Sequence, residues 1–179
     1  MMDFSRLYYD AYSLALFIVS HEMGSRRTMD FLEKVYAEEK GFLHPDYLQD
    51  KKTYLSDTLY WMEYLIDKDT LDAEFPVVEK DFNATGKTFV RESMMSEYPD
   101  IDLFFMFMRL RILYVDTQDY ERMKLRTLLH RYGYKRRSPA IVDHINTCLI
   151  FYHIQPYLRG YERCEIEKVD IDDMITFRV

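Results

Sequence analysis

The clearest helical signal lies in residues 125–152, LRTLLHRYGYKRRSPAIVDHINTCLIFY. Leu125, Leu128 and Leu129 stand three or four residues apart, which is typical of the buried face of a helix. Gly133 is expected to end this helix, because glycine readily adopts the left-handed conformation that follows helices. The pattern predicts two helices joined by a short basic turn.

The second helix is expected to begin at Ser138 and Pro139, which supply a side-chain cap and a preset backbone angle. Upstream, Thr117 is expected to cap the first helix. Asp119 and Glu121 would lie in its first turn, where the helix dipole favours carboxylates. The buried face of the second helix is predicted from its apolar spacing: Ile141, Ile145, Cys148, Leu149 and Tyr152.

Residues 101–115 fit two structures. Apolar residues alternate there with Arg109 and Arg111, as in a strand, but the same run also fits a buried helix after Pro99. We favour the helix, because the neighbouring segments are helical.

After Pro156 the apolar period becomes alternating, which is typical of strands. We predict a β-hairpin over residues 164–179 that turns at residues 170–173. Ile175 and Phe177 alternate with polar residues and are expected to point into the core.

The N-terminal part is predicted to be helical. A first amphipathic helix is expected from Phe4, a second from a cap at Ser25 to Gly41, and a third from Pro45. The buried stripe of the third is predicted from its aliphatic residues: Leu48, Leu55, Leu59, Met62 and Ile66. The expected fold is mainly α with a small C-terminal β-hairpin, an α+β helical bundle whose C-terminal part is helix-turn-helix-like.

Charge is distributed unevenly within a total of −7. Residues 1–108 contain 11 Lys and Arg against 21 Asp and Glu, whereas residues 109–137 contain 9 against 3. We expect an acidic helical region over residues 1–108. A basic helix-turn-helix-like region with the hairpin is expected over residues 109–179, sharing one core with it.

The strongest candidate binding site is Lys135-Arg136-Arg137, directly before the helix cap Ser138. The positive end of a helix dipole disfavours cations, so their removal is expected to leave stability unchanged or slightly higher. Cations and helix amides together suit an incoming phosphate; the alternative is a solvated turn. The candidate residues for binding nucleic acid or a partner are Arg122, Lys124, Arg126, Arg131, Lys135, Arg136, Arg137 and Ser138.

Catalytic and metal motifs are not recognised in the sequence. Residues 85–88, TGKT, resemble the end of a phosphate-binding loop, but Asp81 stands where that motif needs its first glycine. The histidines lack metal-ligand spacing, and neither Cys148 nor Cys164 lies in a metal-type cluster. We expect no catalytic residue, no cofactor, no metal, no membrane span, and reduced cysteines in a cytoplasmic protein.

Residues 125–138, followed by Ile141, Val142, Ile145 and Leu149, resemble a small helical module found beside restriction-related and other defence-associated proteins. The module runs from a leucine-rich helix through an aromatic-Gly pair and a basic turn to a second helix and a closing strand. The strand would be residues 171–179 here, after an insertion at residues 157–163. The resemblance implies a mobile-element accessory, in its most specific form an anti-CRISPR-like inhibitor of a Cas nuclease.

Three functions stay open at this point. The first is a non-catalytic protein that binds nucleic acid or inhibits a nucleoprotein effector. The second is a DNA-binding regulator of a mobile element that uses the helix from Ser138 to Ile154, where Asp143 would repel phosphate. The third is an enzyme of unrecognised type.

Overall fold

The computed structural model describes residues 4–66, 98–159 and 161–179. Contacts divide the chain into two compact units, one from Ser5 to Met95 and the other from Ser96 to Val179 together with the residues up to Phe4. The division falls before the helix that begins at Pro99, whereas the charge pattern placed it at residue 108. The TGKT segment lies outside the described residues.

The N-terminal unit is built around helix α1 (Ala11–Ser20). A capping box begins it: the backbone N–H of Ser13 donates to Asp10 Oδ1 over 2.7 Å, and that of Asp10 donates to Ser13 Oγ over 3.2 Å. All its residues except Ser20 are buried. The sequence therefore predicted this helix, but its start at Phe4 and its amphipathic character were wrong, because the cap sets a later start and the helix has no polar face.

Two further helices, α2 (Ser25–Glu38) and α3 (Lys51–Ile66), complete the described part of this unit. The cap of α2 is Gly24 rather than Ser25, and the helix ends at Glu38 rather than at Gly41. The sequence therefore predicted the existence of α2 but placed its two ends incorrectly.

The buried face of α3 contains Tyr54, Thr58, Trp61 and Leu65 rather than the predicted aliphatic stripe. Tyr54 and Trp61 are 0% and 4% exposed, whereas Leu48 and Leu59 of the predicted stripe are 37% and 41% exposed. The predicted stripe was wrong, because the face one residue earlier in the sequence, about 100° around the helix, carries the larger rings and buries more surface. Pro45 begins only the short 3₁₀ helix Pro45–Tyr47.

The C-terminal unit contains a long buried helix, α4 (Pro99–Tyr114), in which residues 101–110 are all buried. This confirms the helical alternative for residues 101–115. The apparent alternation does not mark a strand, because Arg109 is itself buried and its Nη1 donates to the Tyr152 carbonyl over 2.8 Å.

A small antiparallel sheet packs beside α4. It contains β1 (Tyr120–Lys124), β2 (Gln155–Tyr157) and β3 (Met174–Arg178) in the order β1-β3-β2. Ile175 and Phe177 of β3 are 0% and 1% exposed, which confirms their predicted burial.

The predicted hairpin over residues 164–179 and the predicted helix cap at Thr117 were both wrong. β3 pairs with the two distant strands rather than with residues 164–168. Glu121, expected in the first turn of a helix, lies in β1 and accepts hydrogen bonds of 2.5 and 3.0 Å from Arg111 of α4. This bidentate pair, together with the pairing of β1 to β3, stabilises a strand where the sequence alone favours a helix.

Two helices, α5 (Leu125–Arg131) and α6 (Pro139–Phe151), follow β1 in the expected order. Gly133 has a φ of 78°, the left-handed conformation expected after a helix. The Oγ of Ser138 accepts a 3.3 Å hydrogen bond from the N–H of Ile141, which confirms the predicted cap. The fold is therefore α+β and mainly helical.

Candidate nucleic-acid interface

The sheet of the C-terminal unit presents a basic and aromatic outer face. Residues directly opposite one another in an antiparallel pair point to the same side of the sheet. Tyr120, Arg122 and Lys124 of β1 lie opposite Arg178, Thr176 and Met174 of β3, and Tyr157 of β2 lies opposite Thr176. We call this set the outer sheet face: Tyr120, Arg122, Lys124, Tyr157, Met174, Thr176 and Arg178.

A cavity of about 500 Å³ opens on this face. Three arginines line it, and none of the described residues in its wall is acidic. We call it the sheet cavity, and its wall is formed by Arg122, Tyr157, Leu158, Arg159, Tyr161, Met174, Thr176 and Arg178.

Aromatic rings position two of these arginines. The guanidinium carbon of Arg122 lies 4.9 Å from the ring centroid of Tyr120, and its Nε donates to Thr176 Oγ1 over 3.2 Å. The guanidinium carbon of Arg178 lies 5.2 Å from the rings of both Tyr120 and Tyr161. Such cation–π contacts hold a guanidinium in place while leaving N–H groups free for an anion.

Arg178 retains capacity for a ligand. Its Nη1 pairs with Asp119 Oδ2 at 2.7 Å, on an aspartate that is 79% exposed. Its buried Nε has no hydrogen-bond partner within the described part of the chain. A buried donor without an acceptor is costly. The Arg178 side chain as a whole is 24% exposed and lines the sheet cavity, so its exposed part is open to an anion there.

Tyr161 has an unusual backbone for a bulky residue. Its φ is 65°, a left-handed conformation that is rare outside glycine and asparagine. Its side chain is nevertheless 74% exposed, so burial of the ring does not account for this conformation. Strained residues of this kind cluster at ligand sites, and here the strain places an exposed ring at the cavity wall.

The predicted site residues fall into separate environments. Arg122 lines the sheet cavity and Lys124 lies on the same outer sheet face, both on a strand rather than on the predicted helix. Arg126 donates two 2.7 Å hydrogen bonds to Asp172, and this pair lowers the pKa of Asp172. Arg131 of α5 is exposed.

The basic turn, residues 134–138, does not gather its cations around one point. Nη1 of Arg137 donates to the carbonyls of Ile166 and Val169 over 3.0 and 2.5 Å, so this cation holds the loop before β3. Lys135 and Arg136 are exposed, and their side chains have no hydrogen bond or ion pair to any described residue.

Sequence reasoning missed five residues around the sheet cavity. They are Tyr120, Tyr157, Arg159, Tyr161 and Arg178. The alternation of Tyr120, Arg122 and Lys124 was a usable signal for a strand with one basic face. The three residues of β2 are too few to show any period.

A second cluster lies between α4 and α6, away from the outer sheet face. Nε2 of His144 lies 2.5 Å from Asp102 Oδ1, and the thiol of Cys148 donates to the same oxygen over 3.4 Å. Burial, reinforced by the Asp102 carboxylate, raises the pKa of the Cys148 thiol. The spacing of His144 and Cys148, four residues apart, was a usable signal, whereas Asp102 is 42 residues away from His144 and joins them only through the fold.

Comparison with protein-family models, with curated proteins and with solved structures finds no match to this chain. Within the described ranges, no helix has both the length and the apolar character needed to cross a bilayer. The resemblance to a defence-associated module stays a prediction.

Proposed function

We propose that the C-terminal unit binds single-stranded nucleic acid on the outer sheet face without catalysing a reaction. The observation that carries this proposal is the sheet cavity, where three arginines and two tyrosines meet without an acidic residue among the described wall residues. Guanidinium groups bind phosphate through paired N–H donors. Tyrosine rings offer bases a stacking surface that does not depend on sequence.

Two features favour a single strand over a duplex. A helix-turn-helix reader would place α6 in the major groove, but α6 contains no lysine or arginine and exposes Asp143 and Ile150. A cavity of about 500 Å³ suits one unstacked base or phosphate rather than a helical groove. The helix-turn-helix-like role of α5 and α6 stays a prediction.

The proposal extends to a nucleoprotein effector. A protein that holds the guide or target strand of such an effector on the outer sheet face would inhibit it without being an enzyme. An anti-CRISPR-like inhibitor of a Cas nuclease is the most specific form of this idea. The excess of acidic residues in residues 1–108, 21 against 11 basic ones, would suit a further contact with a basic groove of the partner.

Fluorescence anisotropy with labelled oligothymidine, oligouridine and a duplex of equal length tests the proposal. We expect both single strands to bind more tightly than the duplex. Binding should weaken with salt, with a logarithmic slope of about −0.7 for each phosphate contact. Absence of binding to either single strand at low salt would contradict the proposal.

A double variant, Arg122→Ala with Arg178→Ala, is expected to weaken single-strand binding by at least about 100-fold, since each charge-assisted hydrogen bond contributes ~1.5–3 kcal/mol. The matched control is Lys135→Ala with Arg136→Ala, which removes the same charge from exposed positions. The control should retain affinity within about threefold. If the control loses binding while a folded sheet variant keeps it, the basic turn is the site and the proposal is wrong.

A further inference from the structure

We propose that Asp102, His144 and Cys148 form a three-ligand site for Zn²⁺. Their ligand atoms, one carboxylate oxygen, one imidazole nitrogen and one thiol sulfur, all lie within 4.8 Å of one another. This site is independent of the outer sheet face and of the nucleic-acid proposal.

Two helices bring the ligands together. His144 and Cys148 stand four residues apart on α6, which places both side chains on one helix face. Asp102 lies in the first turn of α4, which packs against α6. Zinc binds each of these three donor types in proteins, whereas Mg²⁺ and Ca²⁺ favour oxygen ligands alone. The donor set therefore selects a transition metal of borderline softness.

The geometry needs only a small adjustment to admit the ion. Zinc bonds of about 2.0–2.3 Å in a tetrahedral arrangement hold neighbouring ligand atoms about 3.3–3.8 Å apart. Cys148 Sγ and Asp102 Oδ1 are already separated by 3.4 Å, whereas His144 Nε2 lies 2.5 Å from the same oxygen. A turn of the imidazole that moves Nε2 away from this oxygen by roughly 1 Å brings their separation into that range.

The burial of the three side chains, and the access to them from solvent, also suit a bound metal ion. Cys148 and Asp102 are 0% and 7% exposed, whereas the side chain of His144 is 16% exposed and provides a route inward. The ring of Tyr98 packs 4.9 Å from the imidazole. Binding would release the Cys148 proton to solvent, because only the thiolate ligates zinc. Three protein ligands leave one coordination position for water or another small ligand.

The competing interpretation is a hydrogen-bonded tie between α4 and α6 that never holds a metal. Titration of the reduced, chelator-treated protein with Co²⁺ distinguishes the two, because a cobalt–thiolate bond gives a charge-transfer band in the near ultraviolet. We expect one Co²⁺ per chain, displaced by one equivalent of Zn²⁺. Cys148→Ser should abolish the band, whereas Cys164→Ser, which alters the other free cysteine, should leave it unchanged. Absence of the band in the native protein, or its loss only in Cys164→Ser, would overturn the proposal.

Thermal denaturation tests the site even if the Cys148→Ser variant fails to fold. Zn²⁺ should raise the Tm of the native protein and of Cys164→Ser in proportion to the logarithm of its concentration. His144→Gln retains the size and a hydrogen bond to Asp102 but offers a poorer ligand, so its Tm should not respond. An equal zinc-dependent shift in His144→Gln would show that the metal binds elsewhere, and the assignment would be wrong.

Discussion

Two regions of the C-terminal unit each contain three cations, yet only one of them resembles a binding site. In the basic turn, Arg137 donates hydrogen bonds to two backbone carbonyls, whereas Lys135 and Arg136 are exposed to solvent. In the sheet cavity, Arg122 and Arg178 come from strands distant in sequence and lie against tyrosine rings. Charges that are adjacent in a sequence therefore indicate a basic surface, whereas strand pairing creates a place where an anion can be held.

The largest difference in stability between two variants is expected within the basic turn. Arg137→Ala should lower the free energy of unfolding by about 2 kcal/mol, because two carbonyls lose a charged donor. Arg136→Ala removes the same charge from an exposed side chain and should change it by less than about 0.5 kcal/mol. Urea denaturation with an unchanged m value measures both.

The variant in which Lys135, Arg136 and Arg137 are all replaced by Ala tests the same two hydrogen bonds of Arg137. The helix-dipole argument predicted unchanged or higher stability, but the contacts of Arg137 predict a loss of the size seen in Arg137→Ala alone. A triple variant as stable as the native protein would show that those two hydrogen bonds contribute nothing, and that the turn is a solvated surface throughout.

At the sheet cavity, two variants of Tyr161 separate the contribution of its ring from the strain of its backbone. Tyr161→Ala should weaken single-strand binding by about 1 kcal/mol, the lower end of the effect of one stacking ring. Tyr161→Gly also loses the ring but relieves the left-handed backbone, so it should be more stable than Tyr161→Ala by about 1 kcal/mol. Thermal denaturation and anisotropy on the same two proteins give both values. Equal stability of the two variants would show that the φ of 65° carries no strain.

The smallest effect on stability is expected when the exposed ion pair of Arg126 and Asp172 is removed. Arg126 lowers the pKa of Asp172, so the folded state is stabilised above the ordinary pKa of aspartate. That contribution is lost as the pH falls through the lowered pKa. Asp172→Asn should therefore remove a small part of the acid dependence of unfolding and leave stability near pH 7 almost unchanged. A large loss near pH 7 would show that the pair supports the backbone contact between Arg126 and Ile171.

The sequence predicted those elements whose local signals agree with their packing. Ser138 and Pro139 start α6, Gly133 follows α5, and Ile175 and Phe177 are buried, because cap chemistry and alternation act locally. β1 was missed because YERMK contains residues that favour helices, and only the pairing with β3 and the bond from Arg111 to Glu121 reverse that preference.

The candidate sites were harder to predict because their residues come together only through tertiary contacts. Arg122 and Lys124 were identified as cations, but their neighbours Tyr157, Tyr161 and Arg178 approach only through tertiary contacts. The cluster of Asp102, His144 and Cys148 likewise joins two helices that are far apart in sequence. A single sequence without contact information does not show which side chains meet.

The strand order β1-β3-β2 also affects the order in which parts of the C-terminal unit fold. β1 and β2 join the sheet only through β3, and the bond from Arg122 to Thr176 closes a span of 54 residues. Local helices form within about a microsecond, whereas pairings that close long loops are slow. During refolding, helical circular dichroism should therefore recover before the outer sheet face exists. The affinity for nucleic acid that we propose would therefore arise only after both strands have paired with β3.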